Sequence, residues 1–363
     1  MVFSTDYFSA RERFRRAASR RGCRIESHGI DARGPQGQRL TVDVALAGSE
    51  WATNALVITS GVHGVEGFFG SAVLCALLER MPMAMVMDMP AGDGVRVVLV
   101  HALNPFGFSS IRRTDEENVD LNRNFVMEPE SFRGSPPAYQ QFESWLNPRR
   151  HRLAAGTIVP RVLWAATRLG FPALKEAVAG GQYDYPQGLF YGGSRPSEAR
   201  RLVEAHLGRW IDGCSRVLHL DLHTGLGRWA THKLLADGPL AGGQAAWLRG
   251  CFGGCPIVEN TSAGVAYATR GGLGRWCGGR FARQNYIYLC AEFGTYPIWQ
   301  VLHGLRAENH AHHWEPQGSE ADLVSKSRLR ELFCPQSHAW RQRTLTRAMR
   351  LVHAALHHLG RGT

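Results

Sequence analysis

His63 and Glu66 stand three residues apart where an apolar run turns through glycines, in ITSGVHGVEGFFGSAVLCALLERM (58–81). An imidazole and a carboxylate at such a turn either tidy the chain reversal or hold a metal ion. Three further apolar runs close on polar residues. VRVVLVHALNP (95–105) leads into NPFGF and the arginine-rich IRRTDEENVDLNRNF; RVLHLDLHTG (216–225) ends at His223; YIYLCAEFGTYP (286–297) ends at Glu292. Two imidazoles and one carboxylate are the ligand set of a catalytic zinc that keeps a fourth position open for water. They leave the site about one positive charge, and the bound water then has a pKa of roughly 7. A second carboxylate nearby can take that water's proton. The residues thus point to His63, Glu66 and His223 as ligands of one Zn2+ per chain, with Glu292 as the base.

Such residues meet only if the runs that carry them are neighbours. Apolar runs bounded by turn residues, with NALVITSG (54–61) the first, suit strands covered on both faces. Helical patterns lie between or after them at 67–81, about 137–146, about 196–212, about 298–313 and about 336–359, the last a C-terminal amphipathic helix. Alternating strands and helices predict an α/β fold, a three-layer α/β/α sandwich with a mixed, mostly parallel central sheet. QRLTVDVALAG (38–48) is hairpin-like and supplies the antiparallel part. In such sheets the functional edge lies at the C-terminal ends of the parallel strands, where all four polar clusters fall. Along RVLHLDLHTG, alternation sets Leu218, Leu220 and Leu222 on one face and His219, Asp221 and His223 on the other. His223, at the strand end, can reach a metal. His219, two pleats back, reads as a satisfied interior histidine, and Asp221 as a ligand's partner or a backbone acceptor. In the helix at 67–81, Phe69, Val73 and Leu77 share a face. Asn104 and Pro105 read as turn formers, and Tyr191 as either pocket lining or packing. No repeat or linker divides the chain, which reads as a single domain over 1–363, with an elaboration rich in Pro, Gly and aromatics at about 128–195.

Composition narrows the function classes. The 363 residues are 44% hydrophobic, enough for a substantial core. There is no run of eighteen apolar residues and no apolar middle region in MVFSTDYFSARERFRRAASRRG, so neither a membrane span nor a secretory signal is expected. That segment reads as an amphipathic helix with Tyr7, Phe8 and Phe14 inward. A formal charge of +11 comes from thinly spread arginines, with no basic block, which argues against nucleic acid. The eight cysteines are scattered and read as free thiols of a cytoplasmic protein; Cys251 and Cys255 lack a second pair to complete a zinc site. His310 and His313 lie three apart on a helix ending ENHAHHW, and a second metal is not expected there. No Gly-x-Ser-x-Gly elbow or P-loop occurs, and GGLGRWCGG (271–279) carries Cys277 where a dinucleotide loop needs its third glycine.

The motifs HGVE, NPFGF, DLNRNF, DLHTG and AEFGTY occur in the order and rough spacing of the zinc carboxypeptidases. The chain resembles that superfamily, which also includes aspartoacylases, succinylglutamate desuccinylases and murein-peptide amidases. GQYDYPQGLFYGG and LRAENHAHHW resemble a bacterial branch known mainly as a domain of unknown function. The resemblance implies a carboxypeptidase-like fold, zinc on His63, Glu66 and His223, and Glu292 as general base and later proton donor. It implies that Asn122 and Arg123 grip the substrate's free carboxylate. Arg113, or its neighbour Arg112, would stabilise the oxyanion. Asp120 would orient a zinc-bound histidine, and Tyr267 would cap the substrate. The expected activity is hydrolysis of an amide bond next to a free carboxylate, on a small peptide. The alternatives are an N-acyl-amino-acid deacylase and, in another class, a catalytically silent zinc- or carboxylate-binding protein.

Overall fold

A computed structural model describes residues 2–80, 94–150, 167, 180–259 and 270–361. Among the described residues, eight strands form one mixed sheet in the order β1-β2-β4-β3-β5-β8-β6-β7. Its centre is parallel: β4 (Val95–His101), β3 (Asn54–Ser60), β5 (Arg216–Thr224) and β8 (Tyr286–Phe293) run the same way. The hairpin of β1 (Arg24–Arg33) and β2 (Arg39–Ala47) adds antiparallel strands on one side. On the other side β6 (His232–Ala236) runs antiparallel to β8 and carries β7 (Ile257–Glu259). This is the mixed, mostly parallel sheet expected from the apolar runs.

Helices cover both faces. Residues of α1 (Tyr7–Arg20), α2 (Gly67–Arg80), α6 (Gly242–Phe252) and α10 (His338–Gly360) share one core with Leu218, Leu220 and Leu222 of β5. On the opposite face α5 (Glu198–Trp210) and α7 (Leu273–Arg280) share a second core with Val217, Tyr286 and Tyr288. The local reasons are ordinary ones. In α5 Ser197 caps the first turn through Arg200 N, and Ala199, Leu202, Val203, Leu207 and Trp210 fall on one buried stripe at helical spacing. In α2 every residue from Gly67 to Leu78 is buried, not only the face of Phe69, Val73 and Leu77. The difference arises because α1 and α10 pack onto the side that would otherwise meet water.

The loops at the C-terminal strand ends are fixed by backbone contacts. Between β4 and the short α3 (Pro105–Ser110), Asn104 Oδ1 accepts from Gly107 N at 2.7 Å, so Asn104 and Pro105 start a helix as turn formers do. The HGVE turn lies directly on α3: a Cβ on Gly64 would come within 2.0 Å of the Gly107 carbonyl carbon. Gly64 N and Val65 N donate to the carbonyls of Arg113 and Arg112, which ties this turn to the arginine loop. Arg112 is fully buried, donating to Glu308 Oε1 at 2.7 Å and to Asn118 Oδ1 at 3.0 Å; Glu308 lies on α8 (Ile298–Trp314). The remaining α4 (Pro137–Leu146) and α9 (Glu320–Phe333) add side chains to the first core, and α9 also packs on α8 and on the Gly64–Glu66 turn. Residues 180–192 abut the same loop, with Asp120 N donating to Tyr191 O and Tyr183 OH to Arg123 O, both at 2.7 Å. Tyr191 itself is buried in the second core.

Two stability outcomes follow. Gly64→Ala must push the HGVE turn off α3 and is expected to lower the unfolding free energy by about 1–3 kcal/mol, read from urea midpoints at constant m. Arg112→Ala leaves the Glu308 carboxylate buried without its partner and is expected to cost about 3–5 kcal/mol. Replacing both residues together, Arg112→Met with Glu308→Leu, should recover most of that loss; no recovery would mean that the pair is not what holds the loop.

Candidate metal and catalytic centre

β3 ends at Ser60, and three residues later His63 precedes a single 3-10 turn, Gly64–Glu66. β5 brings His223 to the same edge, and β8 brings Glu292, paired in register with His223. Each of His63, Glu66 and His223 offers one ligand atom, and these atoms all lie within 4.8 Å of one another. The geometry centres on Glu66. Its Oε1 lies 2.8 Å from His63 Nδ1 and its Oε2 lies 3.1 Å from His223 Nδ1. The carboxylate is fixed from behind by Thr224 N, which donates to Oε2 at 2.9 Å.

The far nitrogen of each imidazole meets another carboxylate. His63 Nε2 lies 3.1 Å from Asp120 Oδ1, and His223 Nε2 lies 2.6 Å from Asp221 Oδ2. This is the arrangement that orients metal-bound histidines: one nitrogen turned to the ion, the other held by a carboxylate. All five side chains are buried. Burial alone would raise Glu66, but the two imidazoles outweigh it and hold the carboxyl well below the ordinary glutamate range. Burial likewise pulls His223 down, yet Asp221 and Glu66 outweigh it and keep the ring charged well above its ordinary value. Three converging donors and a surplus of buried carboxylates are the chemistry that a divalent cation fits.

Glu292 stands beside this group. Leu226 N donates to its Oε1 at 2.8 Å, and Lys233 of β6 pairs with it across the sheet. Burial and the negative charge of Glu66 raise its pKa to about 7. Cys290 Sγ lies 3.9 Å from Glu292 Oε2.

Arg113 reaches in from the loop. Its Nε donates to Asp120 Oδ2 at 3.0 Å, its Nη2 lies 2.7 Å from His63 Nε2, and its guanidinium covers the Phe190 ring. Arg113 therefore faces the cluster, whereas Arg112 turns into the core against Glu308. Asp120 also accepts from Asn122 N at 3.1 Å, and the charges of Arg113 and His63 overcome burial to keep it well below its ordinary value. Asn122 Oδ1 accepts from Leu273 N at 3.0 Å. Arg123 is buried, which lowers its pKa against the pull of Asp120; Gly181 packs flush on its side chain. Tyr267 lies outside the described residues.

Other sequence signals go elsewhere. His219 is buried between Thr59 and Tyr286, as an interior histidine. His310 Nδ1 faces Pro148 O at 2.9 Å, and neither it nor His313 joins a metal-like group among the described residues. Cys251 and Cys255 join none either. A cavity of about 430 Å3 lined by Arg24, Trp51, Arg96 and Trp210 opens at the N-terminal ends of β3, β4 and β5, across the sheet from the cluster. Sequence reasoning did not find Thr59 or Tyr288 behind Asp221, nor Lys233 beside Glu292.

Comparison with solved structures places the fold. Bovine thrombin-activatable fibrinolysis inhibitor, solved with tick carboxypeptidase inhibitor, aligns over 99% of this chain and 98% of its own, with a TM-score of 0.53 and 12% identity. A second thrombin-activatable fibrinolysis inhibitor structure aligns over 100% and 78%, with a TM-score of 0.53 and 12% identity. Carboxypeptidase A from Helicoverpa armigera aligns over 90% and 73%, with a TM-score of 0.48 and 11% identity. For the two fibrinolysis-inhibitor structures, at 12% identity, the likeness is one of fold, the carboxypeptidase-like α/β fold that the sequence motifs resemble. No curated protein matches the chain. A family model matches residues 3–347, and the chain belongs to that family, described as protein of unknown function (DUF2817).

Proposed function

We propose that this chain is a zinc-dependent hydrolase that cleaves an amide bond next to a free carboxylate, as a metallocarboxypeptidase does. The observation that supports it most is the convergence of two imidazoles and a carboxylate on one point, with Glu292 beside them at a pKa of about 7. Zinc held by His63, Glu66 and His223 would polarise the scissile carbonyl and acidify the attacking water. Glu292, poised near neutrality, accepts the water's proton and delivers it to the leaving amine. Arg113 offers a guanidinium where negative charge develops on the carbonyl oxygen. Asn122 and Arg123 grip the substrate's carboxylate, for which a guanidinium fork has the right shape. Asp120 and Asp221 hold the two histidines, and Tyr267 caps the substrate.

The chain as purified is expected to carry about one zinc and to lose hydrolysis on chelation, with recovery on adding zinc back. Glu292→Gln removes the base and leaves the ligand set. It should lower kcat by at least about 1,000-fold with zinc content unchanged, measured by elemental analysis beside turnover. Turnover surviving in Glu292→Gln assigns the base wrongly.

The carboxylate anchor is tested with a panel of short peptides, the same peptides amidated at the C-terminus, and N-acyl amino acids. Free peptides should be cleaved and amidated ones rejected by at least about 100-fold, because a buried guanidinium would be left facing a neutral group. Faster hydrolysis of N-acyl amino acids would replace the peptidase reading with a deacylase. Zinc binding with no turnover on any of the three would leave a silent binding protein.

A further inference from the structure

The sheet face that carries His223 does not stop at Asp221. Thr59 of β3 sits beside Asp221 in register, and its Oγ1 donates to Asp221 Oδ1 at 2.6 Å. Tyr288 of β8 donates to Asp221 Oδ2 at 2.7 Å, the same oxygen that meets His223 Nε2. Behind Thr59 stands His219, its Nε2 at 2.9 Å from Thr59 Oγ1, and behind that Tyr286, its hydroxyl at 2.8 Å from His219 Nδ1. All are buried.

The donor inventory leaves one consistent direction for these hydrogens. Asp221 offers carboxylate oxygens, to which hydroxyls donate. The single hydroxyl proton of Thr59 goes to it. Thr59 oxygen then accepts from His219 Nε2–H. A neutral His219, which burial favours by lowering its pKa to about 4, presents Nδ1 as acceptor to Tyr286. Both oxygens of Asp221 are thus held by outside donors, and what remains for His223 Nε2 is to donate as well. Its Nδ1 is turned to the side of Glu66, where the candidate ligand atoms converge.

Resting on the zinc reading above, we propose that Tyr288 and Thr59 are positioning residues for the metal: their hydroxyls fix the Asp221 carboxylate, which sets the tautomer and direction of His223. His63 is served differently. Its carboxylate, Asp120, is held by Arg113 and a loop amide. His223 is served by a hydroxyl network embedded in the sheet. Outer partners of this kind are worth about 10–100-fold in metal affinity.

The test measures the zinc dissociation constant of the full chain by competition with a chromophoric chelator, with the visible spectrum of the Co2+-loaded chain and the melting temperature of the metal-free chain beside it. Tyr288→Phe keeps the ring and loses the hydroxyl; it should weaken zinc binding at least about 10-fold and alter the Co2+ bands. Thr59→Val, equal in shape, should do the same, whereas Thr59→Ser should bind like the wild type. Unchanged affinity in both Tyr288→Phe and Thr59→Val overturns the proposal while leaving the zinc reading intact. A lower melting temperature with unchanged affinity also overturns it, since that is packing alone. A wild-type chain that takes up no zinc, like Glu66→Ala, overturns both readings together. If Tyr288→Phe does not fold, the Val and Ser variants of Thr59 carry the test.

Discussion

Negative charge gathered out of water is the constraint around which this protein is organised. Glu66, Asp120, Asp221 and Glu292 are buried at one edge of the sheet. Two such charges a few ångströms apart repel by several kcal/mol even at an effective dielectric of about 20. The surroundings answer that load charge by charge. Two imidazoles stand between carboxylates, Arg113 lies against Asp120, and the backbone amides of Thr224, Leu226 and Asn122 point at carboxylate oxygens. Of the four, Glu292 is the one pushed upward, by burial and by the charge of Glu66. A cluster built mainly for stability would not leave this surplus, because apolar residues fill such a space at no electrostatic cost.

The scaffold divides the work. Parallel strands β3, β5 and β8 deliver side chains to the edge from a core that cannot shift far. The loop after α3 brings a second set, anchored by the buried Arg112 on one side and by Gly64 packed against Gly107 on the other. Adjacent arginines therefore have opposite duties. One is spent on holding the loop, so that the next can face the cluster.

Much of this was legible in the chain because period-two and period-3.6 patterns are local. The four central strands, the helices after β3 and β8 and the amphipathic C-terminus followed from them. So did the meeting of His63, Glu66 and His223, because strand ends in such sheets share an edge. What was not legible depends on neighbours. α2 looked one-sided, and only the packing of α1 and α10 shows why it is buried all round. Asp221 could be put on the face of His223 by alternation, but its donors come from two other strands whose register no local pattern states. Arg112 and Arg113 could not be told apart, because one step along an irregular loop turns a side chain from core to cleft.

β5 carries two messages on one strand. Its leucines belong to the core beneath α2 and its His-Asp-His series to the polar face above. Since successive side chains point oppositely, inserting or deleting one residue upstream of Leu220 would exchange the two sets, sending imidazoles into oil and leucines to the edge. Length changes in this strand are tolerable only in twos. The segment is thereby shielded from gradual drift, and its spacing is set as much by greasy residues that never touch a ligand as by the polar ones that would.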